Sequence, residues 1–292
     1  MSPTAKHIAA VALLLLPALG CSRTHPLTVG SKNFTEQIIL GEIVAQQLER
    51  SLHLKVARKL DLGGTLLAQQ ALRNGEIDLY PEYTGTALTA VLKLSPSSDP
   101  TAVMETVRTE YRRRWGLEWL DPLGFDNTFA MVVRGSQARA EGIATLSDAA
   151  RRKQGWTLGV GYEFLQRPDG LAGLLRTYHL PLADAPKSMD LGLLYSALEQ
   201  KQVDMAAANA TDGMLSVLDV QVLRDDRHYF PPYQAAVIVR SESLKAHPGL
   251  RAALNQLAGK ISAAAMRDLN HKVDGAHQPV AAVAREWLAT LR

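Results

Sequence analysis

The stretch DLYPEYTGTAL, Asp78 to Leu88, carries two tyrosines, a proline and a Thr-Gly-Thr turn within eleven residues. Only 6% of the chain is aromatic, yet two of its eight tyrosines, Tyr80 and Tyr83, stand three apart here. A turn of this composition either buries its rings as core or presents them to a ligand. Bond-making chemistry leaves no comparable trace. There is no GxSxG elbow, HExxH, CxxC or P-loop, and no two of the eight histidines lie three or four residues apart. Single acids such as Glu82 have no obvious partner. The pattern points to binding rather than catalysis, with no cofactor and no metal.

The elements that must position these residues alternate along the chain. Leu27 to Gly30 reads as a strand, and Asn33 with Glu36 three residues later reads as the N-cap signature of a helix to Leu48. Leu54 to Leu60 reads as a second strand, and Thr65 opens a helix ended by Gly75. Ile77 to Tyr80 is a third strand, with the Tyr83 turn and a helix to Leu92 after it. Asp99-Pro100 caps a helix that Gly116 stops. Such alternation predicts an α/β chain with mainly parallel sheets.

An internal echo predicts a second unit of the same kind. In ALRNGEID, Ala71-Leu72 precedes Ile77-Asp78 at the same distance at which Ala197-Leu198 precedes Val203-Asp204 in ALEQKQVD. Five residues past each aspartate stand Tyr83 and Asn209, at the carboxyl ends of strands, where open sheets bind ligands. FDNTFAMVVR (Phe125–Arg134) and YFPPYQAAVIVR (Tyr229–Arg240) read as long strands that cross between two lobes and form a hinge. The expected division is residues 1–20 as a signal, 21–126 with 233–292 as the first lobe, and 127–232 as the second. The C-terminal helices from Glu242 are expected to pack on the first lobe.

Lys6 followed by a nine-residue apolar run, Ile8 to Leu16, has the layout of a secretory signal and is too short to span a bilayer. Cys21 is the only cysteine and sits where a lipoprotein signal places its acylated residue; the alternative is a conventional signal with a chance cysteine. Removing residues 1–20 takes one lysine from 32 basic side chains against 29 acidic ones, leaving +2. A near-neutral, mixed surface argues against a nucleic-acid partner. The basic run Arg112 to Arg114 reads as the solvated side of a helix.

Six motifs in order, GSKNFTEQ (Gly30–Gln37), DLYPEYTGT (Asp78–Thr86), DNTFA (Asp126–Ala130), EFLQRPDG (Glu163–Gly170), ATDG (Ala210–Gly213) and FPPY (Phe230–Tyr233), give the chain a specific resemblance. It resembles the substrate-binding proteins of bacterial ABC transporters for glycine betaine, choline and carnitine, over nearly the whole mature length. The resemblance implies a two-lobed periplasmic-binding-protein fold of type II, with a two-strand hinge and a ligand cleft between the lobes. It implies that Lys32, Thr86 and Arg167 hold a ligand carboxylate, Arg167 through two parallel hydrogen bonds. It implies that Tyr83, Phe129, Asn209 and Tyr233 surround the methylated ammonium, which rings attract through their π faces.

Two of those four depart from tyrosine. Phe129 keeps the ring without the hydroxyl, and Asn209 replaces a ring with an amide that a trimethylammonium cannot use. A zwitterion with a further polar or ring group, such as ergothioneine, is the alternative ligand. Each residue also has a plainer reading: Lys32 as a solvated loop lysine, Tyr83 as core like Tyr80, Thr86 as a helix start, Phe129 as an ordinary hinge-strand residue, Arg167 as a surface partner of Asp169 or Glu163, Asn209 as a turn residue, Tyr233 as a hinge residue. The expected partners are an ABC permease with its ATPase subunits, and a membrane reached through the lipid on Cys21 from the periplasm or cell surface. The protein itself is expected to be a monomer and to bind no ATP. A ligand-sensing lipoprotein that signals to a receptor is the remaining alternative.

Overall fold

The computed structural model describes residues 26–291. The expected signal segment and Cys21 lie outside the described residues. The chain builds two five-stranded sheets. The first contains β1 (Thr28–Gly30), β2 (Ala57–Lys59), β3 (Leu79–Tyr83) and β4 (Leu117–Trp119). The second contains β5 (Phe129–Arg134), β6 (Leu158–Val160), β7 (Lys187–Ser188), β8 (Met205–Asn209) and β9 (Val220–Leu223). The last strand, β10 (Ala235–Arg240), returns to the first sheet.

The two sheets share one topology, β2-β1-β3-β10-β4 and β7-β6-β8-β5-β9. In each, three strands run parallel and a fourth runs antiparallel to both of its neighbours. The sheets are therefore mixed, not mainly parallel. The antiparallel member is the strand that follows a crossing between the lobes, so it enters from the opposite end of the sheet. The ALRNGEID and ALEQKQVD echo is structural: Glu76 and Ile77 both donate to Ala71 O, as Gln202 and Val203 do to Ala197 O. Asp78 N then bonds Thr28 O in one unit and Asp204 N bonds Thr157 O in the other.

Alternation along β3 separates its two tyrosines. Tyr83 shares a core with Leu79 and with Ile39, Leu40 and Ile43 of the Thr35–Leu52 helix. Tyr80 faces Leu72, Val107 and Tyr111 on the other side. Period-two geometry requires this, since side chains an odd number of residues apart point to opposite faces. Tyr80 is fully buried, its hydroxyl within 3.3 Å of Gln69 Oε1 and 3.2 Å of Glu82 Oε2.

Several boundaries differ from expectation. The Thr35–Leu52 helix has Phe34 at its N-cap with no side-chain cap; Glu36 turns inward instead of closing a capping box. β2 is three residues long rather than seven. After β3, residues Thr84–Thr86 form one α turn that widens into a π turn over Ala87–Val91, a local feature often found at functional sites. Asn209 leads into a short 3₁₀ turn, Gly213–Ser216, not a full helix.

The crossings are shorter strands than the sequence suggested. β5 starts at Phe129 and β10 at Ala235, because Pro231 and Pro232 have no N–H to give a ladder and Gly124 turns with φ +121°. Between them a single antiparallel bridge, Asp126 to Gln234, ties the two crossings, and the Tyr233 N–H donates to the Asp126 carboxylate at 2.8 Å. The C-terminal helices pack on the Thr35–Leu52 helix. One of them, Ala263–Asp274, also reaches the second lobe, where Asn270 Nδ2 donates to Thr211 O and Arg267 Nε to Ala210 O. It spans both lobes rather than resting on the first alone. Among the described residues no helix is long and apolar enough to cross a membrane.

Candidate functional site

The ends of β1, β3, β5 and β8 and the loop before β10 bring the expected residues to the junction of the lobes. Lys32 follows β1, Tyr83 ends β3, and Thr86 lies in the turn after it. Phe129 opens β5, Asn209 ends β8, and Tyr233 precedes β10. Arg167 ends the short helix Tyr162–Gln166.

Two groups form. In the first, the buried Lys32 ammonium lies 2.6 Å from Glu82 Oε1, 3.4 Å from Thr65 Oγ1, and 4.7 Å above the Tyr83 ring. In the second, Arg167 lies 5.1 Å from the Phe129 ring centre and 5.5 Å from that of Tyr233. The two rings meet edge to face at 5.7 Å. Arg167 Nη1 donates to Thr86 Oγ1 at 2.9 Å, tying the second lobe to the first. Glu163 links the groups, accepting from the Thr65 N–H at 2.7 Å and standing 3.9 Å from Arg167. Asn209 pairs directly with Phe129 in the β5–β8 ladder, so their side chains share one face of the sheet.

Arg167 departs from expectation in one respect. Its Nε and Nη2 grip Asp169 at 3.0 and 2.6 Å, with both side chains buried. The parallel pair of donors is engaged within the protein, and Nη1 bonds Thr86. The plainer pairing with Asp169 is also real, though it is internal and not on the surface.

Asp169 in turn accepts from Thr89 Oγ1 at 2.8 Å and from the Tyr233 hydroxyl. Burial pushes its carboxyl up, but Arg167, Tyr233 and Thr89 together outweigh this and hold it below the usual range. Burial pulls the Arg167 guanidinium down, and Tyr233 and Asp169 hold it above its ordinary value. Gly85 makes the packing possible: a Cβ there would meet Tyr233 Cδ1 at 2.8 Å and Pro232 O at 2.7 Å. A cavity of about 720 Å³ opens beside the crossings and is lined by Phe129, Phe230, Pro231 and Asp126; of the seven expected residues only Phe129 borders it.

Beyond the expected residues the junction holds Glu36, Glu82 and the rings of Phe164 and Phe230, which pack 4.8 and 5.9 Å from Phe129. All four lie inside the six motifs, so the sequence carries a signal for them. Glu36 was read as a cap, and Glu82 as an acid without a partner.

Residues 25–290 match the family described as the substrate binding domain of the ABC-type glycine betaine transport system. The chain belongs to this family. The family is one of transport binding proteins, not enzymes, and the binding proteins of ABC importers work outside the cytoplasm. A carnitine transport binding protein of Listeria monocytogenes is 34% identical over 94% of this chain and 89% of its own length. An ergothioneine transport permease/ergothioneine binding protein of Helicobacter pylori is also 34% identical, over 97% of this chain and half of its own length. A solved structure of a glycine betaine/carnitine/choline ABC transporter shares 31% identity and a TM-score of 0.78, over 90% of this chain and 98% of that one. The two-lobed type II architecture expected from the sequence is the fold of such relatives.

Proposed function

We propose that this chain captures a betaine-type quaternary ammonium compound between its lobes and delivers it to the permease of an ABC importer. In this reading the lobes divide at 126/127 and 232/233, and the mature monomer is tethered by lipid on Cys21. The observation that carries it is Arg167. From the second lobe it lies over the Phe129 and Tyr233 rings while bonding Thr86 of the first. Rings that already accept a guanidinium on their faces suit a methylated ammonium, which has no hydrogen to donate and binds by cation–π attraction. Lys32, Thr86 and the second hydrogen of Arg167 Nη1, whose first is given to Thr86, are the donors for a carboxylate or hydroxyl at the other end.

A ligand touching both groups stabilises the contact between lobes through its higher affinity for that arrangement. The second reading, an ergothioneine-type zwitterion, is favoured by one residue. Asn209, opposite Phe129, offers an amide where a plain trimethylammonium wants a ring, and one relative is named for ergothioneine. Calorimetry against glycine betaine, choline, carnitine, proline betaine and ergothioneine tests both readings, with small-angle scattering of the saturated protein to follow compaction. Binding by none of the five would refute the ligand class, and an unchanged radius with saturating ligand would refute the closure.

A further inference from the structure

Glu36 is buried at the junction and takes no part in the ligand contacts described above. Its Oε1 accepts from the Tyr83 hydroxyl at 2.5 Å and from Asn127 Nδ2 at 2.8 Å. Its Oε2 accepts from the Thr211 hydroxyl and from Asn270 Nδ2 at 3.1 Å. The donors come from β3, from the crossing between lobes, from the second lobe and from the Ala263–Asp274 helix. All four are neutral. Among the described residues no Lys, Arg or His forms an ion pair with Glu36, and the nearby Lys32 is held by Glu82. A buried carboxylate normally keeps its charge only beside a positive partner. Burial outweighs the four donors and pushes Glu36 above the usual carboxylate range. Asp212, next to Thr211, and Asp274 add acid to the same side; burial, then Asp274 and Glu36, raise Asp212 to about 6.

This acid sits behind the ring expected to face the ligand's ammonium, joined to it through the phenol hydroxyl. We propose that Glu36 is a positioning residue that commits the site to cations. It fixes the Tyr83 ring from behind, and its negative charge adds to the ring's attraction for a quaternary ammonium, beside the Lys32 ammonium that already lies 4.7 Å from the ring centre. The proposal rests on the betaine-type reading above and adds the residue that selects the charge.

Isosteres that lack the positive charge at the quaternary centre test it. In 3,3-dimethylbutan-1-ol a carbon replaces the nitrogen of choline, and in 3,3-dimethylbutanoate a carbon replaces that of glycine betaine. The readout is the ratio of dissociation constants, isostere over cation, on the full chain with folding checked by thermal unfolding. Wild type should prefer the cation, and Glu36→Gln should shrink that ratio by about tenfold, the isostere itself losing little. Tyr83→Phe keeps the carboxylate but cuts its link to the ring, and should narrow the ratio by a smaller factor. This second variant decides the matter if Glu36→Gln fails to fold. A purely structural Glu36 would weaken both members of a pair equally and leave the ratio unchanged, which would overturn the proposal. Wild type that binds isostere and cation alike would overturn it too, with the binding site intact. Wild type that binds neither choline nor glycine betaine would instead remove the betaine-type reading, and the proposal with it.

Discussion

Replacing Arg167 by Gln should destabilise the fold as well as weaken binding, because of what its guanidinium leaves behind. The Arg167 side chain is 7% exposed and that of Asp169 is 0% exposed. Removing one partner of a buried pair costs about 3–5 kcal/mol, since the other charge stays buried without compensation. Thr89 and Tyr233 still donate to Asp169, which places the expected loss near the lower end, about 3 kcal/mol. Converting Asp169 to Asn in the same chain removes the stranded charge. The double variant should lose only about 1–2 kcal/mol, the worth of the neutral hydrogen bonds given up. Urea unfolding of wild type, both single variants and the double variant closes the cycle. A single variant costing under about 1 kcal/mol, or a double variant as unstable as the sum of the singles, would refute the buried-pair reasoning. Binding gives a second check. Because Nε and Nη2 serve Asp169 and Nη1 ties the lobes through Thr86, Arg167→Gln should weaken choline and glycine betaine together. A loss confined to the carboxylate ligand would mean that the guanidinium leaves Asp169 to clamp the ligand.

Three further outcomes are expected. Asn209→Tyr places a ring opposite Phe129 and should tighten glycine betaine by about 0.5–2 kcal/mol in calorimetry; a ligand that bonds the amide should instead weaken by about 1–3 kcal/mol. Gly85→Ala drives a methyl into the Tyr233 ring and the Pro232 carbonyl and should cost about 1–3 kcal/mol of stability by overpacking, with weaker ligand binding; an unchanged melting temperature and affinity would contradict the packing argument. Burial raises Asp212 from 3.8 to about 6, so it binds its proton more tightly folded than unfolded. Its stabilising contribution is complete below pH 3.8 and is lost as pH rises through about 6. Asp212→Asn should flatten that part of a urea-stability profile against pH, and an unaltered slope would exclude Asp212 as its source.

What the sequence determined alone was local or repeated. The ALRNGEID and ALEQKQVD echo identified two equivalent units, because a helix, a turn and a strand start are written in consecutive residues. The same echo placed Tyr83 and Asn209 at strand ends. Six ordered motifs nominated residues that do gather at one junction, with Thr86 and Arg167 in contact from 81 residues apart. The tertiary structure decided how those residues spend their hydrogen bonds. Glu36 has the spacing of a helix cap, yet its acceptors are taken by Tyr83, Asn127, Thr211 and Asn270, the last 234 residues away. Arg167 could face a ligand with two donors until Asp169, buried by the same turn, claimed them. Glu82 lacked a partner until β1 and β3 lay side by side and brought Lys32 to 2.6 Å. Burial makes each of these pairings obligatory, since an unpaired charge inside the protein costs several kcal/mol. Which group satisfies it depends on distances that exist only once the lobes are folded and joined.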